Sequence, residues 1–225
     1  MAYFGRMLAV GMTVSNEPAV VYGISGRSAS SKKRKLVEEK YKDLPCIHVR
    51  EVGELTEDQK NRYDIFFYPA IVGSEDEDGT SAVVTNGDHT KDAVGYGILS
   101  SDLRSRQYEP DDYSTPRIAG KIRWLIDDDP IIQAALLAKQ ARSFASVERT
   151  ENGLFVCLST YQGNDEPSKP ETGKIWFQKF KGSTPAELAN ELYEWMDPGV
   201  RVAAGSAVMN DNSFHWELGV KNLHE

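Results

Sequence analysis

The chain has 225 residues, a formal net charge of −8 at pH 7 and a sequence pI near 5.1. This acidic balance argues against a nucleic-acid-binding surface, which needs clustered Lys and Arg to neutralise phosphates. The length favours one domain over residues 1–225, with a core that needs no disulfide or metal support. The chain does not open on a basic segment followed by an apolar core, and no apolar run reaches the roughly 20 residues that span a bilayer. We therefore expect a cytoplasmic protein without membrane partners.

The cysteine and histidine patterns predict neither a metal site nor a redox motif. Cys46 and Cys157 lie far apart in the sequence with no second cysteine near either, so two free, buried thiols are expected. No two of the four histidines have i, i+4 spacing around a carboxylate, as a helical zinc motif would require. No cofactor is predicted.

In chain order, the first predicted element is a β-hairpin with strands at 3–11 and 19–22. A short strand is expected at 46–49. The aromatic and β-branched run 64–72 predicts a strand buried on both faces. The acidic tract 74–79 is predicted to be a loop, because its carboxylates repel one another in solvent.

The middle of the chain alternates between extended and helical patterns. A strand is predicted at 81–85, followed by a helix at 91–104 with Thr90 as its N-cap. Another strand is expected at 118–126. The segment 131–141 is open between helix, which its Ala, Leu and Gln content favours, and strand, which its position favours.

The last third of the chain predicts a hairpin and a well-capped helix. The Asn-Gly pair at 152–153 predicts a hairpin between strands at 143–149 and 154–161. The capping box that begins at Thr184 predicts a helix to about Met196. Three further strands are expected, at 174–180, 200–209 and 214–220. About ten strands joined mostly by turns, with two or three helices, indicate an α+β fold with mostly antiparallel sheets.

Three polar segments have compositions that are more typical of binding sites than of purely structural elements. The segment 25–28 ends a strand and carries Arg27 and Ser28, which are suitable donors for an anion. The segment 85–90 joins a strand to a helix start and contains Asn86, Gly87, Asp88 and His89, so its backbone donors can face a negative group. The alternative for 25–28 is a turn with a surface arginine, and for 85–90 it is an ordinary strand-to-helix turn with an N-cap.

The third segment, 108–117, clusters carboxylates between two prolines, with Arg117 at its end. Neighbouring carboxylates raise one another's proton affinity, and Glu109 is therefore a candidate general acid or base. An acidic surface loop is the alternative. The separate basic run 32–35 is expected to be a solvated loop or the first turn of a helix.

These segments together resemble one family. Tyr-Phe-Gly-Arg at 3–6, Tyr-Gly-Ile-Ser-Gly-Arg-Ser at 22–28, Val-Val-Thr-Asn-Gly-Asp-His-Thr at 83–90 and Asp-Asp-Tyr-Ser-Thr-Pro-Arg-Ile-Ala at 111–119 match archaeal-type IMP cyclohydrolases in order and at similar spacing. The match covers about residues 2–125 and fades beyond residue 150. It implies a four-layer αββα sandwich similar to the N-terminal-nucleophile hydrolases, and closure of a formamido ribonucleotide to IMP with loss of water, without metal or cofactor.

The resemblance also implies roles for individual residues. Glu109 would transfer protons, Arg27 would stabilise developing charge, and Tyr68 would donate to the oxyanion. The substrate, a purine ribonucleotide (IMP or its formamido precursor), would contact Arg6, Ser28, Lys32, Asn86, Gly87, Asp88, His89 and Arg117. Lys32 stands where the family has a second arginine, so the charge is kept but the two-pronged donor is lost.

Two other functions remain open from the sequence. One is a catalytically silent relative that binds a purine nucleotide. The other is an amidohydrolase with Ser28 or Cys157 as nucleophile, although no base is spaced for it. A homo-oligomer is compatible with each of these functions.

Overall fold

The computed structural model describes residues 3–55, 57–77, 79–95, 97–125, 128–161, 173–210 and 213–223. Thirteen strands run through these residues: β1 (Arg6–Met12), β2 (Pro18–Ser25), β3 (Arg34–Tyr41), β4 (Leu44–Glu51), β5 (Pro69–Asp76), β6 (Gly79–Thr85), β7 (Arg117–Leu125), β8 (Ile131–Leu137), β9 (Arg142–Val147), β10 (Leu154–Ser159), β11 (Lys174–Lys179), β12 (Arg201–Asn210) and β13 (His215–Asn222). The helices are α1 (Ala29–Lys32), α2 (Glu57–Asn61), α3 (Tyr63–Phe66), α4 (Thr90–Ala93), α5 (Leu99–Asp102) and α6 (Pro185–Trp195).

The strands form two antiparallel sheets, which confirms the predicted α+β class. One sheet has six strands in the order β11-β10-β1-β2-β12-β13, and the other has seven in the order β3-β4-β5-β6-β7-β8-β9. The predicted N-terminal hairpin is confirmed, with Val10 opposite Val20. Strand β1 is buried on both faces: Leu8 and Val10 face the other sheet, whereas Met7 and Ala9 face outward. This explains why its sequence is apolar throughout rather than alternating.

Helices cover the outer faces of both sheets. The predicted helix α6 begins at the capping box of Thr184 and Glu187, as expected, and packs Leu188 and Leu192 on the six-stranded sheet. The short helices α4 and α5 pack on the seven-stranded sheet, where Leu99 joins a second outer cluster. No helix in the described ranges is long and apolar enough to cross a membrane. The single domain over 1–225 and the similarity to N-terminal-nucleophile hydrolases stay predictions.

Three local predictions were wrong in the first half of the chain. Residues 63–66 are helical, and the strand begins only at Pro69. The helix ends before Tyr68 because the residue before a proline is driven out of helical backbone. The acidic tract 74–79 instead continues β5 and begins β6, with Ser74 and Ser81 hydroxyls paired at 2.7 Å. The helix at 91–104 is two short helices, interrupted near Gly95 with φ +100°.

The predicted N-cap and the basic run also differ. His89, not Thr90, is the N-cap of α4, and the Thr90 hydroxyl instead donates to the Pro69 carbonyl at 2.5 Å. Within the basic run, Lys32 ends α1 but Arg34 begins β3, a strand that the sequence did not predict.

The predicted hairpin between 143–149 and 154–161 was wrong because β9 and β10 belong to different sheets. Strand β9 pairs with β8, and β10 pairs with β1 and β11. Gly153 does adopt the left-handed turn conformation, with φ +78°, but the connection crosses between sheets. The open segment 131–141 contains strand β8, whose buried central position overrides its helical composition.

Candidate active site

A cavity of about 520 Å³ lies where the open end of the β1–β2 hairpin meets the start of β3, helix α3 and the loop that carries Glu109. The antiparallel register places Arg6 opposite Ile24, so the polar ends of both strands reach the same edge. Gly5 has φ +69°, and an added Cβ would lie 2.3 Å from the Tyr161 ring, so only glycine fits this corner. The cavity is lined by four arginines, three carboxylates, several hydroxyls and four aromatic rings: Arg6, Arg27, Arg34, Arg62; Glu109, Asp111, Asp112; Ser25, Ser28, Ser30, Ser31, Thr115; Tyr3, Phe66, Tyr113, Tyr161.

Glu109 is the buried acid of this cavity, with only 1% of its surface exposed. Its two carboxylate oxygens accept from Arg6 Nη2 at 2.5 and 2.6 Å. Burial raises the pKa of Glu109, while the charge and hydrogen bond of Arg6 oppose that rise. A carboxyl group with a raised pKa exchanges protons more readily near neutral pH.

The loop that carries Glu109 is held by its own hydrogen bonds. Asp111 accepts from the Thr115 backbone N–H at 2.8 Å and from the Thr115 hydroxyl at 2.5 Å. The Glu109 N–H donates to the Thr115 carbonyl at 2.8 Å. Asp111 therefore closes the turn, and Glu109 is the candidate general acid or base among the clustered carboxylates.

Asn86 is fully buried and contacts Glu109 from behind the cavity. Its Nδ2 donates to Glu109 Oε1 at 3.1 Å and to the Pro116 carbonyl at 2.9 Å, while its Oδ1 accepts from the Ile118 N–H at 2.7 Å. Because both ends of the amide are occupied by protein groups, Asn86 orients Glu109 and does not line the cavity.

The other predicted residues of the 85–90 segment form a second layer around Arg117. Arg117 Nη1 donates to Asp88 Oδ1 and, at 3.0 Å, to His89 Nδ1. His89 Nε2 lies 3.1 Å from the Ile118 carbonyl, which fixes the tautomer with the proton on Nε2. Burial and the nearby Arg117 lower the pKa of His89 to about 3. At Gly87 an added Cβ would lie 3.2 Å from Arg117 Nη1, so a side chain would crowd this layer.

Two cavity arginines differ in their surroundings. Arg27 is exposed at the rim, 4.1 Å above the Tyr3 ring. Arg34 is only 4% exposed; its Nε donates to the Ser31 carbonyl at 3.3 Å, while its buried Nη1 has no partner among the described residues. Burial and the proximity of Arg6 lower the pKa of Arg34. An unpartnered buried donor that lines a cavity is available to a ligand.

Lys32 is not brought into the cavity lining. Its Nζ donates to the Gly199 carbonyl at 3.0 Å, on the other side of α1. Ser28 does line the cavity and caps α1 by accepting from the Ser31 N–H at 3.1 Å. The basic run therefore contributes Arg34 to the cavity, which sequence reasoning missed. The alternation of Arg34 and Leu36 on the inward face of β3 was the signal that could have found it.

Tyr68 is fully buried beneath the cavity rather than on its wall. Its hydroxyl lies 2.6 Å from that of Tyr22, a residue that sequence reasoning also missed. Burial raises the pKa of Tyr68, and the nearby Arg6 and Arg34 partly offset this rise. Both hydroxyls are therefore neutral donors close to the arginines.

The geometry of the site does not support the alternative function, an amidohydrolase with Ser28 or Cys157 as nucleophile. Both predicted free thiols are buried, and Cys157 packs in the cluster beneath α6, on the outer face of its sheet. Burial raises the pKa of the Cys157 thiol, which suppresses the reactive thiolate. The Ser28 hydroxyl bonds to the hydroxyls of Ser30 and Ser31, and within the part of the chain that the structure describes it contacts no histidine or carboxylate. Among the described residues, no three His, Cys, Asp or Glu side chains are grouped to hold a metal ion.

Comparison with known proteins gives a consistent result. The chain is 34% identical over 130 residues to an IMP cyclohydrolase of Methanococcus maripaludis strain C5 (52% of this chain, 56% of the relative) and 30% identical over 128 residues to one of Methanocaldococcus jannaschii (52% and 55%). It is 34% identical over 149 residues to an IMP cyclohydrolase of Natronomonas pharaonis (63% and 66%). The chain thus spans little more than half the length of the first two relatives. A sequence profile for the family described as IMP cyclohydrolase-like protein matches residues 3–213. The chain belongs to the IMP cyclohydrolase-like protein family.

Proposed function

We propose that this protein closes a formamido-imidazole-carboxamide ribonucleotide to IMP with loss of water. The observation that carries the proposal is the Glu109 carboxylate, buried at a cavity wall between Arg6 and Asn86. Family membership and relatives named IMP cyclohydrolase support this class of reaction.

The reaction makes three demands on the cavity. The carboxamide nitrogen attacks the formyl carbon, a C–N bond forms, and the formyl oxygen leaves as water with one hydrogen from each reacting nitrogen. Because an amide nitrogen is a poor nucleophile, the substrate must be held in a near-attack geometry. A group must also remove the nitrogen proton, and donors must stabilise the oxygen as it gains charge.

Glu109 meets the proton-transfer demand. As a carboxylate it takes the proton from the carboxamide nitrogen, and as a carboxylic acid it returns that proton to the departing oxygen. Burial raises its pKa from the usual value toward neutral pH, which is the direction that favours both steps. Arg6 and Asn86 hold its two oxygens, so the carboxylate stays aimed as its charge changes.

Positive charge along the cavity meets the electrostatic demand. Arg27 is the proposed stabiliser of the oxyanion, and Arg6 adds to the same field. Tyr68 can donate to the oxyanion only if its hydroxyl turns away from Tyr22 toward the cavity. Because the pKa values of Tyr68 and Tyr22 are both raised, each phenol keeps its proton. Tyr68 can therefore donate that proton either to Tyr22 or to the oxyanion.

The phosphate is proposed to contact Arg34 and the serine hydroxyls around Ser28. Arg34 Nη1 is one of the buried donors without a partner among the described residues, and Ser31 lies beside Arg34. Lys32 would have to leave the Gly199 carbonyl to make the same contact. The base is proposed to lie near Glu109, where its reacting atoms must be, with Tyr161 as the neighbouring aromatic ring.

The second layer acts through Glu109 and Arg117 rather than on the substrate. We propose that Asn86, Gly87, Asp88 and His89 position these two side chains. The finer fold, a four-layer αββα sandwich similar to the N-terminal-nucleophile hydrolases, is supported by helices on both outer faces. The cytoplasmic location and the absence of nucleic-acid and membrane partners also stay predictions.

Turnover of the formamido nucleotide tests the function directly. Purified protein is expected to form IMP, detected by liquid chromatography, with or without a chelator. Binding of IMP by calorimetry without any turnover would favour the catalytically silent relative. Loss of activity in chelator, restored by a divalent metal, would overturn the proposed mechanism.

A further inference from the structure

Arg117 lies behind Glu109 and outside the lining of the cavity. Its side chain is 6% exposed, and the described residues that line the cavity include Glu109 and Thr115 but not Arg117. Arg117 begins β7 immediately after Pro116, whose carbonyl accepts from Asn86 Nδ2 at 2.9 Å. The same Nδ2 donates to Glu109 Oε1 at 3.1 Å. Asn86 therefore joins the start of β7 to the carboxylate, while Arg117 itself does not face a ligand in the cavity.

The charged end of Arg117 approaches Glu109 across Gly87. A Cβ atom added to Gly87 would lie 3.2 Å from Arg117 Nη1, 3.3 Å from His89 Nδ1 and 3.5 Å from Glu109 Oε1. The ring of His89 is uncharged at neutral pH, because burial and the charge of Arg117 lower its pKa to about 3. Arg117 therefore supplies the positive charge where these three atoms converge, and burial keeps water from screening it.

Asp88 lies between Arg117 and a second guanidinium, that of Arg106. Asp88 Oδ1 accepts from Arg117 Nη1, and Asp88 Oδ2 accepts from Arg106 Nη1 at 3.0 Å. Arg106 also donates from Nε to Asp92 Oδ2 at 2.5 Å. Lys91 Nζ is farther from Asp88 Oδ2, at 3.9 Å. Asp88 thus holds Arg117 with one carboxylate oxygen, and Arg106 holds the other oxygen.

Charged and titratable groups face Glu109 from several elements. Arg6 on β1 donates to both carboxylate oxygens at 2.5 and 2.6 Å, Asp111 lies in the same loop, and the Tyr68 phenol precedes β5. Burial raises the pKa of Glu109, and the charges of Arg6 and Arg117 both lower it. Arg6 acts through direct hydrogen bonds at the cavity wall, whereas Arg117 acts through its charge from behind.

We infer that Arg117 is a positioning residue for proton transfer, a fixed positive charge behind Glu109 whose strength Asp88 and Arg106 set. The inference rests on the proposed function, because it takes Glu109 as the group that moves the protons of the reaction. It also predicts a sign for each counter-charge. Removal of the Asp88 charge leaves more positive potential at the Glu109 carboxylate, and removal of the Arg106 charge leaves less.

Carbon-13 NMR titration of the glutamate carboxyl groups tests these signs without any substrate. The Glu109 signal is identified by its loss in Glu109→Gln. Asp88→Asn, which keeps an acceptor for Arg117, should lower the midpoint of the Glu109 titration by about 0.5–1 pH unit. Arg106→Gln should raise the midpoint by a comparable or smaller amount. The double variant should return the midpoint toward that of the unaltered protein.

The pH dependence of turnover connects this charge to the reaction. In each variant the acid limb of kcat/KM should move in the same direction as the midpoint of the Glu109 titration, a result that lost packing alone would not produce. Arg106→Lys keeps the positive charge and should restore the unaltered profile. The matched control is Arg104→Gln, at an exposed arginine two residues earlier, which should change neither measurement.

A midpoint that neither folded variant moves would overturn the inference, as would movement in the same direction in both. Circular dichroism checks folding, and partly exposed Arg106 provides a test even if the Asp88 variant does not fold. An acid limb that stays fixed while the midpoint moves would overturn the role in proton transfer and leave the proposed function standing. If the midpoints move as expected but the unaltered protein forms no IMP, the proposed function fails while the charge coupling to Glu109 stands.

Discussion

Replacement of Arg34 is expected to affect nucleotide binding and the stability of the fold in opposite directions. In the ligand-free protein its guanidinium is buried, its Nη1 has no partner within the described ranges, and its charge lies near that of Arg6. With a phosphate bound, the same guanidinium gains a charge-assisted hydrogen bond. We therefore expect Arg34→Met to weaken nucleotide binding and yet to stabilise the ligand-free fold.

The two effects have different sizes. Loss of a hydrogen bond to a charged group costs about 1.5–3 kcal/mol, which is roughly a 10- to 150-fold increase in Kd. Removal of the unpartnered donor relieves about 1–3 kcal/mol, reduced by loss of the Ser31 contact and the Phe66 ring, so we expect a net gain of about 1 kcal/mol. For a chain of this length that gain raises Tm by about 2–4 °C.

Calorimetric titration with IMP and thermal unfolding without ligand measure the two effects on one preparation. Exposed Lys35, the next residue on β3, is the control, and Lys35→Met should change neither quantity. Lys32→Met tests the expectation from the sequence, and its effect on Kd should be small because Nζ contacts Gly199. Unchanged affinity together with a lowered Tm in Arg34→Met would refute the reasoning.

Three further predictions concern the cavity and the layer behind it. Glu109→Gln should lower kcat by about 10²- to 10⁴-fold while circular dichroism stays unchanged; near-normal steady-state turnover would remove Glu109 from proton transfer. Arg27→Ala should lower kcat by roughly 10²-fold, and an unchanged kcat would return Arg27 to a purely surface role. The pKa of His89, 6.5 when unfolded and about 3 when folded, means that the unfolded state binds the extra proton between these values. The stability that neutral His89 contributes should thus be fully present above pH 6.5 and should fall by on the order of 3–5 kcal/mol toward pH 3. In denaturant unfolding, His89→Gln should lack this part of the pH dependence of the free energy of unfolding. An identical pH dependence in the variant would contradict the prediction.

Local signals predicted the elements that depend on local chemistry. The β1–β2 hairpin follows from turn residues between two apolar runs, and α6 follows from its capping box. The polar segments around Glu109 and Asn86 were also recognisable as candidate site regions. In the structure these two side chains meet at 3.1 Å. Polar residues next to apolar strands are easy to recognise in a sequence, because polar side chains are rarely buried unless they have a specific partner or function.

The pairing of distant strands was decided only in the tertiary structure. The Asn-Gly turn after β9 looked like a hairpin, but β10 is buried on both faces and gains more by pairing with β1 than with its neighbour in sequence. Nothing local encodes that choice, because it depends on the burial available in the assembled sheets.

The choice between Lys32 and Arg34 was decided in the same way. The two cations are two residues apart and indistinguishable by charge. The short helix α1 ends at Lys32 and directs it toward Gly199, whereas β3 begins at Arg34 and directs that side chain inward. Successive residues of a strand point to opposite faces. A shift of the pairing register of β3 by one residue would therefore exchange its buried and exposed side chains. The sequence determined that a basic group stands near this cavity, and the register of β3 determined which one enters it.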